Sequence, residues 1–97
     1  MFSAIRCDEN VIQLVGRFDA SQVAVAKEAL NSVTTSGTLD LQNLEYISSA
    51  GLGVLLMTQK RLGESGEKIK LVNVNQHIRD VFRYAGFDKI FQIEEQG

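Results

Sequence analysis

Apolar residues recur along this chain with a strand-like and then a helix-like period, and the switches between the two lay out its elements. Residues 2–7 and 11–15 are short runs of extended character separated by the turn-prone Asp8-Glu9-Asn10. Together they predict a β-hairpin whose second strand ends at Gly16. Beyond Asp19, the residues Val23, Ala26, Leu30 and Val33 fall at spacings of three and four, as on one buried helix face. Asp19 and Gln22 have capping-box spacing, which makes Asp19 the expected N-cap, with Ser21 as an alternative start. Thr34-Thr35-Ser36-Gly37 breaks that helix. Residues 38–41 then predict a short strand running into Asp40-Leu41-Gln42-Asn43.

The second half alternates in the same way. A strand-like segment beginning at Leu44 leads into a helix over about residues 50–62, with Leu52, Leu55, Leu56 and Leu62 pointing one way. Lys60 and Arg61 lie near its C-terminus, where cations suit the helix dipole, and Gly63 and Gly66 bracket its stop. Residues 69–74 are mostly apolar, the pattern of a strand covered on both faces. Asn75 caps a third helix with Ile78, Val81, Phe82 and Ala85 as its buried stripe, and Gly86 takes the left-handed position after its end. Residues 89–93 predict a closing strand and 94–97 a frayed end. The order ββαβαβαβ predicts an α/β fold: a small, mixed, mostly parallel sheet with an N-terminal antiparallel hairpin and about three packed helices.

Ninety-seven residues without repeat or linker make one domain, residues 1–97. With 44% hydrophobic and 23% charged residues and a net charge of −2, the chain is not built for nucleic-acid or membrane-surface binding, which need clustered positive charge. No apolar run approaches the roughly 18–20 residues that span a bilayer. The first residues lack the basic-then-apolar signature of a signal peptide. A single cysteine, Cys7, permits no internal disulfide and suits a reducing cytoplasm. It is expected to be a small buried apolar residue of the first strand. His77 is the single histidine and has no second His or Cys to share a metal. No metal, cofactor or catalytic residue is therefore expected. Gly51-Leu52-Gly53 lacks both the P-loop and the dinucleotide-binding pattern.

The chemistry concentrates in residues 44–54, where a strand-like segment passes through Ser48 and Ser49 into small residues and an apolar helix. A hydroxyl at a helix start has two uses. It caps the orphan backbone N–H groups, or it carries a phosphate that the helix N-terminus tolerates. Ser49 is the main candidate for the second use, and Ser48 the weaker one, with local capping as its other role. Asp19 and Asp40 end strand-like segments that open on the same rim, where they either serve the serine or merely cap and turn. Gly51 and Gly53 each lower helix propensity by roughly 1 kcal/mol against alanine, which suggests that clearance beside the serine is wanted. Leu52, Val54 and Met57, with Ser49, are the expected partner-facing residues, because the apolar stripe is too wide to be wholly buried. Arg79, Arg83, Lys60 and Arg61 lie on helix faces and are either solvated or available to an acidic partner.

The hairpin, Gly16-Arg17-Phe18-Asp19, Asp40-Leu41 and Ile47-Ser48-Ser49-Ala50-Gly51-Leu52-Gly53 resemble a STAS domain of the anti-sigma-factor antagonist family. The likeness continues through residues 69–74 and the closing Ile78, Phe82 and Gly86-Phe87-Asp88-Lys89-Ile90-Phe91. It covers nearly the whole chain, and the Ser-x-Gly-Leu-Gly turn is its specific part. Two positions depart from the usual pattern. Ser48 stands where an acidic residue often precedes the phosphorylated serine, and Ala50 where a second small hydroxyl residue often sits.

The resemblance implies a non-enzymatic regulatory module, cytoplasmic and bacterial, phosphorylated at Ser49. Its implied partners are an anti-sigma factor that is also a serine kinase and a metal-dependent serine phosphatase. Unmodified, such a module sequesters the anti-sigma factor and frees a sigma factor. A monomer is expected for the module alone. Two other readings stand beside this one: a STAS accessory subunit of a transporter or other signalling complex without serine phosphorylation, and a small nucleotide-binding or enzymatic α/β domain.

Overall fold

The computed structural model describes residues 2–8 and 10–95, in which six strands and three helices share one contiguous core. Strands β1 (Phe2–Asp8) and β2 (Val11–Phe18) pair antiparallel, with Phe2 opposite Gly16 and Arg6 opposite Ile12. Of the turn between them, Glu9 lies outside the described residues. Along β2 the period of two is plain. Ile12, Leu14 and Phe18 are buried, while Val11, Gln13 and Val15 are half-buried and Arg17 is exposed.

Gly16 does not end β2. It sits inside the strand with φ 92°, in the left-handed region that glycine enters without steric penalty, and it bends the strand between two partners. Before it, β2 runs parallel to β3 (Gly37–Asp40); after it, β2 runs parallel to the short β4 (Leu44–Ile47). The Gly16 N–H donates to the Asn43 carbonyl at 2.9 Å and so closes the junction. β4 is the strand-like segment beginning at Leu44, which the order ββαβαβαβ leaves uncounted; it pairs with β2 and makes a sixth strand.

β5 (Ile69–Val74) pairs parallel with β3, and β6 (Gln92–Glu95) pairs parallel with β5, giving the order β1-β2-β3-β5-β6 with β4 beside β2. Lys70 and Val72 are only half-buried, so the expectation of two covered faces fails for β5. The closing strand begins three residues later than residues 89–93 suggest. Ile90 and Phe91 donate instead to the Phe87 carbonyl in a turn, and the Phe91 ring buries edge-on against Phe82, 5.7 Å between centroids. Glu94 and Glu95 belong to β6 rather than to a frayed end, and residues 96–97 lie outside the described ones.

The first helix opens as a 3-10 turn, Ala20–Gln22, and continues as α1 (Val23–Asn31), burying Ala26 and Leu30. α2 (Ser49–Gly63) buries Leu52, Val54, Leu55 and Leu62. α3 (Gln76–Tyr84) is capped by Asn75, whose side-chain oxygen accepts from the Ile78 N–H at 2.9 Å, and it buries Ile78 and Phe82; Ala85 is exposed. Its end is a Schellman turn, with Phe87 N–H donating to the Phe82 carbonyl at 2.8 Å and Gly86 at φ 78°. The same device ends α2 at Gly66, φ 76°, where Glu67 N–H donates to the Leu62 carbonyl at 2.9 Å.

Candidate functional site

In an open sheet of parallel strands, the C-terminal strand ends form the rim where loops and helix N-termini converge. Here β2, β3, β4 and β5 run parallel to one another, so Asp19, Asp40, Ser48, Ser49 and Asn75 all emerge at one rim. The sheet positions the serines directly. Ser48 N–H donates to the Phe18 carbonyl at 2.9 Å, which carries the β2–β4 pairing one residue past β4. Ser48 therefore keeps an extended backbone, φ −84° and ψ 169°, and the helix starts only at Ser49.

This register divides the two uses of a hydroxyl between two residues. Ser48 Oγ accepts from the Gly51 N–H at 3.1 Å and is the N-cap of α2. Ser49 is the first helical residue; it is exposed, and among the described residues its hydroxyl makes no hydrogen bond. Ala50 beside it is exposed as well. A group attached to the Ser49 oxygen would sit beside free backbone N–H groups at the positive end of a helix dipole.

The small residues that follow have different jobs. Gly51 is buried, and a Cβ there would lie 2.9 Å from Ile47 Cγ1 and 3.1 Å from Phe18 Cγ. Its clearance serves the seating of α2 on β2 and β4, not access to the serine, which corrects the expectation for this residue. Gly53 is the reverse case, since a Cβ there would meet nothing within 4 Å. Leu52 and Val54, expected among the partner-facing residues, are 5% and 4% exposed and belong to the core. Met57 is 61% exposed and does present itself. Ser49, Gly53 and Met57 follow one another at intervals of four along one face of α2.

Asp19 caps the 3-10 turn, accepting from the Ser21 N–H at 3.0 Å and from the Ser21 hydroxyl. The Ser21 hydroxyl chiefly, helped by lesser effects of its backbone N–H and the charge of Arg17, holds the Asp19 carboxyl below its ordinary value, against burial, which raises it. Asp40 accepts from the Gln42 N–H at 3.0 Å, an Asx-type turn, and from the Asn73 side-chain amide at 3.1 Å. No hydrogen bond joins either carboxylate to Ser49; both shape the rim around it. Asn73 is the rim residue that sequence reasoning missed. It is non-glycine with φ 57°, at the point where the β5–β6 register shifts, and asparagine tolerates that region better than most residues. Arg17 lies over the Tyr46 ring at 4.5 Å on the outward side of β2 and β4.

The remaining candidates stay apart from this rim. Cys7 is exposed on the edge strand β1, not buried as expected: it lies where the β1–β2 register shifts between Arg6 and Asp8, in a stretch exposed from Ile5 to Asp8. His77 is exposed at the start of α3. Among the described residues no cluster of His, Cys, Asp and Glu could hold a metal ion, and no helix is long and apolar enough to cross a membrane.

Comparison with known proteins gives the family. The family model described as "Mlab, STAS domain" matches residues 2–94. A STAS-domain containing protein of Pseudomonas aeruginosa is 30% identical over 88 residues, spanning 88% of this chain and 87% of that protein. BtrV of Bordetella bronchiseptica, assigned as an anti-sigma factor antagonist, is 44% identical over 55 residues, 57% of this chain and 47% of its own length. This chain thus spans less than half of BtrV. Among solved structures, SpoIIAA, titled an anti-sigma factor antagonist, superposes with TM-score 0.68 unphosphorylated and 0.67 phosphorylated. The identities are 18% and 19%, with 96% of this chain covered and 86% and 90% of the respective SpoIIAA chains. The chain belongs to the STAS domain family.

Proposed function

We propose that the chain is an anti-sigma factor antagonist switched by phosphorylation at Ser49. Unmodified, it binds an anti-sigma factor that is also a serine kinase, and so releases a sigma factor. The same partner phosphorylates Ser49 and lowers its own affinity, and a metal-dependent serine phosphatase restores the binding form in the cytoplasm. The chain itself performs no catalysis.

The observation that carries this reading is the separation of duties between Ser48 and Ser49. The cap is made by Ser48 Oγ, so the exposed Ser49 hydroxyl is available for chemistry without loss of the helix start. Phosphorylation adds about −1.5 to −2 charges, which the helix N-terminus accommodates. SpoIIAA resembles this chain to the same degree in its phosphorylated and unphosphorylated forms, which supports a scaffold that carries the group without refolding. The change then falls on the surface that the partner meets. An affinity shift of roughly 30–150-fold, about 2–3 kcal/mol, is enough for a switch.

Intact mass after incubation with a purified anti-sigma kinase and ATP tests the reading. One phosphate is expected on the parent chain and on Ser48→Ala, and none on Ser49→Ala. Retention of the phosphate in Ser49→Ala would defeat the assignment. Ser49→Asp should then bind the unmodified chain's partner more weakly than Ser49→Ala does.

A further inference from the structure

Along α2, the line from the exposed Ser49 through the half-buried Gly53 to the exposed Met57 covers about 12 Å of helix and runs on to Arg61 one turn later. Beside its second half lies a groove of about 320 Å³ between α1 and α2, lined by Lys27, Asn31, Val54, Met57, Thr58 and Arg61. Its floor is apolar at Val54, and Met57 stands at its rim, 61% exposed. Its charges are all of one sign. Lys27 has no ion pair among the described residues, and Arg61 spends one N–H on the Leu30 carbonyl at 3.0 Å, with no carboxylate opposite it. α2 carries no Asp or Glu over its fifteen residues, in a chain that holds 12 acidic residues against 10 basic ones. The other helix-face cation pair differs, because Arg83 is already engaged by Asp80 at 2.6 Å.

We propose that this groove seats an acidic amphipathic helix of the partner protein, with a carboxylate between Lys27 and Arg61 and an aliphatic side chain over Met57. The proposal rests on the phosphoswitch reading and gives it a partner chemistry. Two helices one turn apart in matched residues, Lys27 and Asn31 on one and Met57 and Arg61 on the other, form the kind of groove that accepts the apolar face of a third. Complementary charge fixes the sign of that third helix. A phosphate on Ser49 puts a dianion on the same α2 face, about 12 Å from Met57, and so weakens the attraction of this surface for carboxylates.

The chain has two methionines, Met1 and Met57, so ¹³C-methyl methionine labelling reports the groove with one resonance. The probes are a helical peptide of Glu and Leu and its twin with Lys in place of Glu. The acidic peptide should shift the Met57 methyl in the parent chain, much less in Lys27→Glu, and the basic twin should leave it in place. An unmoved Met57 methyl with the acidic peptide, or equal shifts with both, overturns the proposal. Against the purified anti-sigma kinase, Lys27→Glu and Met57→Asp should each weaken binding about 10-fold or more. Lys89→Glu, the same charge change away from the groove, should not weaken it. Both groove positions are exposed, so the fold should survive. Weakening by Ser49→Asp alone sinks the groove and leaves the switch standing; weakening by Lys27→Glu alone does the opposite.

Discussion

The seating of α2 on the sheet is open to a sharp test with two alanines two residues apart. At Gly51 an added methyl would stand 2.9 Å from Ile47 Cγ1 and 3.1 and 3.2 Å from Phe18 Cγ and Cδ1. Neither neighbour can yield cheaply. Phe18 is fully buried with the Phe2 ring behind it at 4.8 Å, and Ile47 is 3% exposed. The first turn of α2 must therefore lift, which strains the Ser48 cap on the Gly51 N–H. Overpacking of this kind costs about 1–3 kcal/mol, and the gain in helix propensity offsets at most about 1 of it. Gly51→Ala should lose about 1.5 kcal/mol, the middle of the resulting range, a fall in Tm of about 6–12 °C for a domain of this size. At Gly53 the same methyl meets nothing within 4 Å, so Gly53→Ala should gain up to about 1 kcal/mol and about 4–8 °C. Circular-dichroism melts, with urea titration to confirm unchanged m, measure both. A Gly51→Ala chain as stable as the parent, or a destabilised Gly53→Ala, would refute the account of how α2 is seated. Because Gly53 lies between Ser49 and Met57, Gly53→Ala should also bind the proposed anti-sigma partner less well while folding better. Binding unchanged in that variant would remove Gly53 from the docking face.

Other expectations rest on single contacts. Ser48→Ala should cost about 1 kcal/mol in chemical denaturation through loss of the cap, and Ser48→Asp, which restores an acceptor, should cost nearly nothing. At Asn73, φ 57° and the bond to Asp40 set an order of stability: Asn above Gly, which loses the bond alone, and Gly above Ala, which adds roughly 1–2 kcal/mol of backbone strain. Ala as stable as Gly would show that the backbone there relaxes. Glu67 accepts from the Ser36 hydroxyl chiefly and from its backbone N–H, both of which hold its carboxyl below the ordinary value of 4.5. A carboxyl lowered in the folded state stabilises fully above its unfolded value and loses that contribution as the pH falls through its folded value. Denaturation of the parent chain should therefore lose stability more steeply below about pH 4.5 than Glu67→Gln does. Parallel profiles would show that the Ser36–Glu67 clip contributes nothing.

Elements with a sustained period are legible in the residues alone. The hairpin, the three helices and β5 come from Ile12, Leu14 and Phe18, from Ala26 and Leu30, and from the Ile78–Phe82 stripe, because burial of one face dictates those spacings. Short features are legible only in part. β3 is read at residues 38–41 and β4 as a strand-like segment that the element order leaves out, while β6 is misplaced because Phe91 is apolar for the sake of the Phe82 contact rather than of a strand, and Ile90 beside it is exposed. Gly16 reads as a stop in sequence, yet its positive φ lets a single strand serve two partners, a property of pairing that no local pattern carries. Gly51 and Gly53 look alike in sequence and differ only in what lies opposite them. The burial of Leu52 and Val54 beside an exposed Met57 likewise depends on where α1 and the sheet lie.

The candidate site turns on the hardest of these distinctions, which of two adjacent serines begins the helix. A slip of one residue would exchange their roles, putting Ser49 in the cap and Ser48 in the strand. Local propensity does not separate them, since serine suits either place. The deciding contact is remote in sequence: the Phe18 carbonyl holds the Ser48 N–H, so extended pairing persists through Ser48 and helical geometry waits until Ser49. Gly51 then locks that register, because only a residue without Cβ lets the first turn rest on Phe18 and Ile47. With the cap and the seat both made by other residues, the Ser49 oxygen has no structural duty. A charge placed on it alters the face that runs toward Met57, and the packing beneath has no reason to move.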